Sequence, residues 1–194
     1  MAQRNARKRA TSRKSSSPPK RSQSPKRASA RKPDAIRMLK DDHKRVQALF
    51  ERFERTRGET QKEKVAETIC NELKVHAQLE EELFYPAARK AISDPDLMNE
   101  AEIEHQSAKA LIAQIEGSSP ANEKYDALVT VLGEYIRHHV KEEEGEMFKK
   151  VRQSELDLAD LGERMQARKR SLLGGPASRA VGRLVTMLGA SATP

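Results

Sequence analysis

The sequence lacks several features that would assign it to common structural classes. It has no tryptophan, three tyrosines and four phenylalanines, and 36% hydrophobic residues, so one large core across all 194 residues is not expected. Its one cysteine, Cys70, cannot form an intramolecular disulfide, which fits a reducing compartment. No apolar run of about 18 residues occurs, so no membrane-spanning segment is predicted. These absences predict a cytoplasmic protein without a membrane partner.

The first part of the chain also lacks acidic residues. Residues 1–33 contain twelve Lys and Arg and no Asp or Glu, whereas the remaining chain has 25 basic and 29 acidic residues. This Lys/Arg/Ser/Pro-rich segment has too few apolar residues to fold, so we predict a disordered tail without a secretory leader. Its charge predicts non-specific binding to nucleic acid and nucleoid association. A tail that only improves solubility is the alternative.

The rest of the sequence shows helical periodicity and no strand-like alternation. Between residues 34 and 151, four apolar stripes with steps of three and four residues are separated by short turns. This pattern predicts an all-α domain, an up-down-up-down four-helix bundle. Residues 152–194 are predicted to be a C-terminal helical extension, with one helix from Leu156 to Leu173 and a shorter one from Arg179 to Leu188.

Histidines and glutamates interrupt these apolar stripes at positions that face the predicted core. The spacing is repeated, because His43 and His105 are 62 residues apart and both His76–His139 and Glu80–Glu143 are 63 apart. The two halves of the bundle therefore follow one plan, a histidine and then a His-x-x-x-Glu pair. The candidate site residues are His43, His76, Glu80, His105, His139 and Glu143.

This constellation predicts a metal site. Residues four apart project from the same helical face, so each His-x-x-x-Glu pair can reach one point in the bundle. Two uncompensated buried carboxylates would cost several kcal/mol each, and the stripes contain no Lys or Arg. Imidazole and carboxylate ligands without thiolates suit iron, manganese or zinc. A buried polar network, or a misjudged helical phase, is the alternative.

Helix lengths test whether the histidines lie at one level. Counting residues from each turn places His43 level with His76, and Glu80 level with His105. In the fourth helix, counted from Pro120, His139 is offset from His105 by about 10 Å unless that helix starts later or tilts.

The motifs that carry these residues resemble the hemerythrin-like HHE cation-binding family over about residues 34–151. They are DDH, HAQLEE, EIEH and HHVKEEE, together with the stretch EELFYPAAR. The resemblance implies a four-helix bundle with two non-haem iron ions. It also implies that the four histidines of the candidate set are terminal ligands and that Glu80 and Glu143 are bridges.

The sequence departs from the oxygen-carrying members at one ligand. Their third helix carries His-x-x-x-His, but Lys109 stands four residues after His105. Glu102 or His138 is an alternative extra ligand, and Glu144 is an alternative to Glu143 as the bridge.

This departure puts reversible oxygen carriage in doubt. The predicted function is therefore binding or sensing of oxygen, nitric oxide or peroxide, or iron handling, under oxidative or nitrosative stress. A catalase-like or peroxidase-like enzyme and a nucleic-acid-associated protein are the alternatives, and the sequence marks no separate catalytic residues.

Overall fold

A computed structural model of the protein describes residues 34–174. The predicted disordered tail and the predicted helix from Arg179 to Leu188 lie outside these residues. Within residues 34–174 the chain forms helices and turns, with no β-strand. No helix in this range is long and apolar enough to cross a membrane.

Seven α-helices and two π-helical turns make up most of the described chain. In order they are α1 (Ala35–Arg55), α2 (Glu59–Leu79), the first π-turn (Glu80–Phe84), α3 (Tyr85–Ala91), α4 (Pro95–Glu116), α5 (Tyr125–Glu142), the second π-turn (Glu143–Met147), α6 (Phe148–Gln153) and α7 (Leu158–Gly174).

Local sequence signals explain where several helices begin. The Asp34 carboxylate caps α1 by accepting a hydrogen bond from the backbone N–H of Arg37 at 3.1 Å. Asp94 caps α4 in the same way, with Pro95 at the first helical position. Gly58 precedes α2 with φ of 81°, a conformation that glycine adopts without strain.

The helices form a four-rod bundle. The segment α2, first π-turn and α3 is one continuous rod, and α5, second π-turn and α6 is another. Helices α1 and α4 each pack against both α2 and α5. The predicted all-α, up-down-up-down bundle is confirmed.

Two hydrophobic clusters fill the bundle, one on each side of a polar layer. The first core cluster includes Leu39, Leu79, Phe84, Ala101 and Met147. The second core cluster includes Val46, Leu73, Ala108, Ile112 and Leu132. On each of the four rods, a candidate histidine lies in sequence between residues of the two clusters. The histidines are therefore held in place by packing from both sides.

Cys70 belongs to the second core cluster. It is 1% exposed, and burial raises the pKa of its thiol to about 11. The thiol therefore stays protonated at neutral pH and acts as a small packing residue.

The level of His139 differs from the prediction. Helix α5 begins at Tyr125 rather than near Pro120, because the turn continues to Lys124, whose backbone N–H binds the Asn122 side chain at 2.9 Å. The later start brings His139 level with His105, and their Nε2 atoms are 3.3 Å apart. The offset counted from Pro120 is therefore absent, because the fourth helix starts later.

Helix α7 packs along the bundle against α1, α2 and the first π-turn. Its apolar side chains Leu161 and Met165 join the first core cluster. Next to them, the Lys169 ammonium lies 2.5 and 2.6 Å from the two carboxylate oxygens of Asp42. Arg168 donates two hydrogen bonds to Glu82, at 2.7 and 2.9 Å. The first helix of the predicted C-terminal extension is thus attached to the bundle by both apolar and ionic contacts.

We predict that Met165→Ala lowers the free energy of unfolding by about 2–5 kcal/mol, because Met165 is fully buried and its removal leaves a cavity. Leu173→Ala on the same helix is the control, since Leu173 is 52% exposed and should change stability by less than about 0.5 kcal/mol. Urea unfolding followed by circular dichroism measures both. Equal losses in the two variants would contradict the observed packing of α7.

Candidate metal centre

Six side chains converge in the polar layer between the two core clusters. They come from α1, α2, α4, α5 and the two π-turns, and each is at most 7% exposed. They are the six candidates of the sequence, namely His43, His76, Glu80, His105, His139 and Glu143.

The four imidazoles meet in two pairs through their Nε2 atoms. The Nε2 atoms of His43 and His76 are 3.1 Å apart, and those of His105 and His139 are 3.3 Å apart. All four nitrogens therefore point into the centre of the bundle.

Each buried carboxylate contacts one histidine of each pair. Glu80 Oε2 lies 3.1 Å from His76 Nε2 and 3.4 Å from His105 Nε2. Glu143 Oε2 lies 3.3 Å from His43 Nε2 and 4.0 Å from His139 Nε2. Both glutamates therefore occupy the position of a group that bridges two neighbouring sites.

Each π-turn begins at one of these glutamates, and the sequence analysis did not predict the π-turns. Because a π-turn is wider than an α-helical turn, two successive acidic side chains can point in different directions. Glu80 points into the centre while Glu81 reaches the outer nitrogen of His105, 3.0 Å away. Glu143 and Glu144 repeat this division, with Glu144 2.9 Å from His43 Nδ1. Such turns occur often at functional sites.

Acidic side chains also face the outer nitrogen of the other two histidines. Glu104 Oε2 is 2.6 Å from His139 Nδ1. Asp42 Oδ2 is 3.8 Å from His76 Nδ1, which is beyond hydrogen-bonding distance. A carboxylate that accepts the Nδ1–H bond leaves the Nε2 lone pair free for a metal.

Sequence reasoning missed this outer acidic ring, although the internal repeat contained a signal for it. Asp42 and Glu104 immediately precede the first histidine of each half. Glu81 and Glu144 immediately follow the bridging glutamate of each half.

Lysines compensate three members of the ring. Lys40 lies 2.7 Å from Glu144, Lys109 lies 2.6 Å from Glu81, and Lys169 binds Asp42. The fourth member, Glu104, instead faces the imidazole of His138, with 3.9 Å between Oε1 and Nε2.

The alternative ligands of the sequence analysis lie away from the centre. Glu102 is on the surface and forms a 2.6 Å salt bridge with Arg89. The His138 side chain is 61% exposed. Glu144 contacts the outer nitrogen of His43, and the Lys109 ammonium contacts Glu81 rather than the centre.

The buried charges of the centre lack sufficient protein partners. All four carboxylate oxygens of Glu80 and Glu143 are buried and make no hydrogen bond of good geometry, and the histidine Nε2 atoms 3.1–4.0 Å away are their polar neighbours. Burial disfavours a charged imidazole, but Glu80 and Asp42 outweigh it and raise the pKa of His76 to about 10. Burial and the nearby Glu80 carboxylate raise the pKa of Glu143. The pattern is that of a site that needs added positive charge.

The donor set fits two cations. One group of ligand atoms comes from His43, His76, Glu80 and Glu143, and the other comes from Glu80, His105 and His139. Within each group the atoms lie within 4.8 Å of one another. Because Glu80 belongs to both groups, the geometry suits two ions that share a carboxylate.

Tyr85 breaks the symmetry of the two halves and was not identified from the sequence. Its hydroxyl lies 2.9 Å from His105 Nε2 and is buried with it. At the equivalent position of the second half, Phe148 stacks on His43 with ring centroids 5.9 Å apart. Burial and the carboxylates Glu143 and Glu80 raise the pKa of Tyr85 well above its usual value, so its phenol stays protonated.

A small apolar pocket leads to the histidine layer from the side of the second core cluster. Its walls include Val46, Leu73, Ala108, Ile112 and Ile136, and all four inward-facing histidines border it. Its internal volume is about 40 Å³, which is room for a molecule of a few atoms.

We predict that Lys169→Met lowers the free energy of unfolding by about 2 kcal/mol near pH 7, because it leaves the buried Asp42 carboxylate without its cation. Lys169→Arg should retain most of the stability. Arg170→Met is the surface control, since Arg170 is exposed and contacts only Gln166 among the hydrogen bonds of the described chain. Urea unfolding measures all three, and equal stability of the Lys169→Met and Lys169→Arg proteins would contradict the role of the ion pair.

Comparisons with known proteins identify the domain that carries the six candidate residues. Residues 34–151 match the family profile of the hemerythrin HHE cation binding domain. A protein named DNA nickase from Nostoc sp. is 30% identical over 119 residues, which cover 61% of this chain. Those residues are 33% of the relative, so the chain spans about a third of its length.

One solved structure has the same fold. It is a hemerythrin HHE cation binding domain-containing protein from Mycobacterium kansasii, with a TM-score of 0.64 and 22% identity. The likeness covers 73% of this chain and 88% of the other.

Proposed function

The chain belongs to the hemerythrin HHE cation-binding family, and from that premise we propose that it is a non-haem di-iron protein. We propose His43, His76, His105 and His139 as terminal ligands and Glu80 and Glu143 as bridges. Its role is to bind or sense oxygen, nitric oxide or peroxide, or to handle iron, under oxidative or nitrosative stress.

The observation that carries this proposal is the position of the two buried glutamates. Each contacts one histidine of each pair, and none of their oxygens makes a hydrogen bond of good geometry. One cation beside each histidine pair would provide a partner for both carboxylates and for all four Nε2 atoms. Nitrogen and oxygen donors without thiolate suit iron, manganese or zinc, and the resemblance to the family is the reason to propose iron.

Two iron ions held here would supply open coordination positions for dioxygen, nitric oxide or peroxide. The protein supplies the surroundings. The outer carboxylates orient the imidazoles, and the apolar pocket admits small uncharged molecules while it limits water. The pocket volume matches ligands of two to four heavy atoms better than organic substrates.

Tyr85 adds a proton donor beside one half of the centre. Its hydroxyl is within hydrogen-bonding distance of His105 Nε2, and its phenol remains protonated. The histidine expected at position 109 in oxygen carriers is replaced by a lysine that binds Glu81. The polar group next to His105 is therefore a phenol, which supports sensing or reaction over reversible oxygen carriage.

We predict that the full-length protein, purified from iron-supplied cells, contains two iron ions per chain and shows an ultraviolet–visible absorption that changes with reduction or nitric oxide. Glu80→Ala should lose at least one ion, because Glu80 belongs to both ligand groups. Glu102→Ala is the matched control and should keep both, since Glu102 is exposed and paired with Arg89. Metal analysis with spectra of the three proteins decides the question. Wild-type protein that takes up no iron, manganese or zinc would overturn the proposal.

The same samples distinguish an enzyme from a sensor. Repeated consumption of peroxide by the iron-loaded wild type, lost in Tyr85→Phe at unchanged iron content, would assign a catalase-like or peroxidase-like activity. A single spectral response without turnover would assign binding or sensing.

We also propose that residues 1–33 bind nucleic acid without sequence preference, which would place the protein at the nucleoid in the cytoplasm. Twelve cations without an anion support this role.

We predict that affinity for duplex DNA falls steeply as salt rises, because binding releases counterions from phosphates. Deletion of residues 1–33 should abolish this binding and leave the iron content unchanged. Fluorescence anisotropy over a salt series measures the effect. Equal affinity of the deleted and full-length proteins would contradict the proposal.

A further inference from the structure

A second cluster of metal-binding side chains lies on the surface next to the centre. It consists of Glu104, His138 and Glu142, whose ligand atoms lie within 4.8 Å of one another. His138 Nε2 is 3.2 Å from Glu142 Oε1 and 3.9 Å from Glu104 Oε1. We propose that this cluster, called the surface site below, binds a divalent cation and delivers it to the buried centre. The inference rests on the proposed metal centre.

The surface site contains Glu104, the member of the outer acidic ring that has no lysine paired with it in the described chain. Each member of the ring is called a corner below. At the other three corners, a lysine ammonium lies 2.5–2.7 Å from the outer carboxylate. Glu104 faces an imidazole and a second carboxylate instead. Among the described residues, a cation that approaches this corner meets ligands, whereas at the other corners it meets a positive charge.

A narrow cavity is bordered both by Glu104 and Glu142 of the surface site and by His139 and Glu143 of the centre. Glu100 adds one more carboxylate to its lining. Leu97 and Met147 contribute apolar wall, and no Lys or Arg borders it. Glu143 is 2% exposed, and neither of its carboxylate oxygens makes a hydrogen bond. The cavity thus borders an unpaired carboxylate of the centre.

Glu104 links the two sites directly. One of its oxygens lies 2.6 Å from His139 Nδ1, and the other faces His138. The cavity volume is only about 10 Å³, close to the space of one water molecule. A cation therefore passes only after it sheds most of its water, with carboxylates available as replacement ligands at each step.

The ligand types indicate which cations the surface site takes. One imidazole and two carboxylates suit Fe²⁺, Mn²⁺ or Zn²⁺. His138 and Glu142 are four residues apart on α5, the same spacing as His139 and Glu143, so both side chains reach one point. Partial exposure leaves room for water ligands, so binding is weaker here than in the buried centre.

The binding test uses Mn²⁺ and full-length, iron-loaded protein. The loss of free Mn²⁺ is followed by electron paramagnetic resonance. We expect one added Mn²⁺ per chain, bound about tenfold or more weakly after His138→Ala or Glu142→Gln. Glu146→Gln is the matched control, because Glu146 is a nearby exposed glutamate already paired with Lys150 at 2.7 Å. Unchanged Mn²⁺ binding in His138→Ala and Glu142→Gln would overturn the proposal.

The delivery test measures refilling of the centre with Fe²⁺ after chelation of the full-length protein. We expect His138→Ala and Glu142→Gln to refill about tenfold more slowly and to reach the same final iron content and spectrum. Refilling at the wild-type rate would overturn the delivery role. Failure of the wild type to take up any metal in the centre would instead overturn the proposed function, so the two failures are distinguishable.

Discussion

Burial of two carboxylates among four imidazoles is the constraint on which the arrangement of the bundle depends. The interior cannot hold these charges without compensation, and the protein's own side chains supply only part of it, in concentric layers around the centre. Glu80 and Glu143 lie innermost, the histidines surround them, acidic residues face the outer imidazole nitrogens, and lysines hold most of those acids. Each layer orients the layer inside it, so the geometry of the ligands is fixed from the surface inward.

The internal repeat makes the differences between the halves informative. The halves share histidines, bridging glutamates, π-turns and outer acids at a spacing of 62 or 63 residues. They differ at one pair of equivalent positions close to the centre. Tyr85 places a hydroxyl beside His105, while Phe148 places an apolar ring on His43. The two groups of candidate ligands therefore have unequal surroundings, because only the group that contains His105 has a phenol beside it.

Much of this arrangement is predictable from the sequence, because helical phase alone sends residues such as His76 and Glu80 to the core face. The bundle follows from four apolar stripes. The π-turns are not predictable in this way, since they depend on tertiary contacts in which Glu80 faces the centre while Glu81 reaches the outer nitrogen of His105. The start of α5 depends on a single side-chain contact of Asn122, which periodicity does not encode. The ion pair of Lys169 could not be predicted from the sequence, because its partner Asp42 is 127 residues away along the chain.

Helix α7 shows that the family likeness does not describe the whole environment of the centre. The match ends at residue 151, yet Lys169 of α7 holds Asp42, which faces His76. Lys40 and Lys109 come from within the matched region and hold the outer acids of two other histidines. Three members of the outer ring are thus paired with ammonium groups, whereas Glu104 faces the imidazole of His138. The charge balance around the candidate ligands therefore depends in part on a helix outside the matched region.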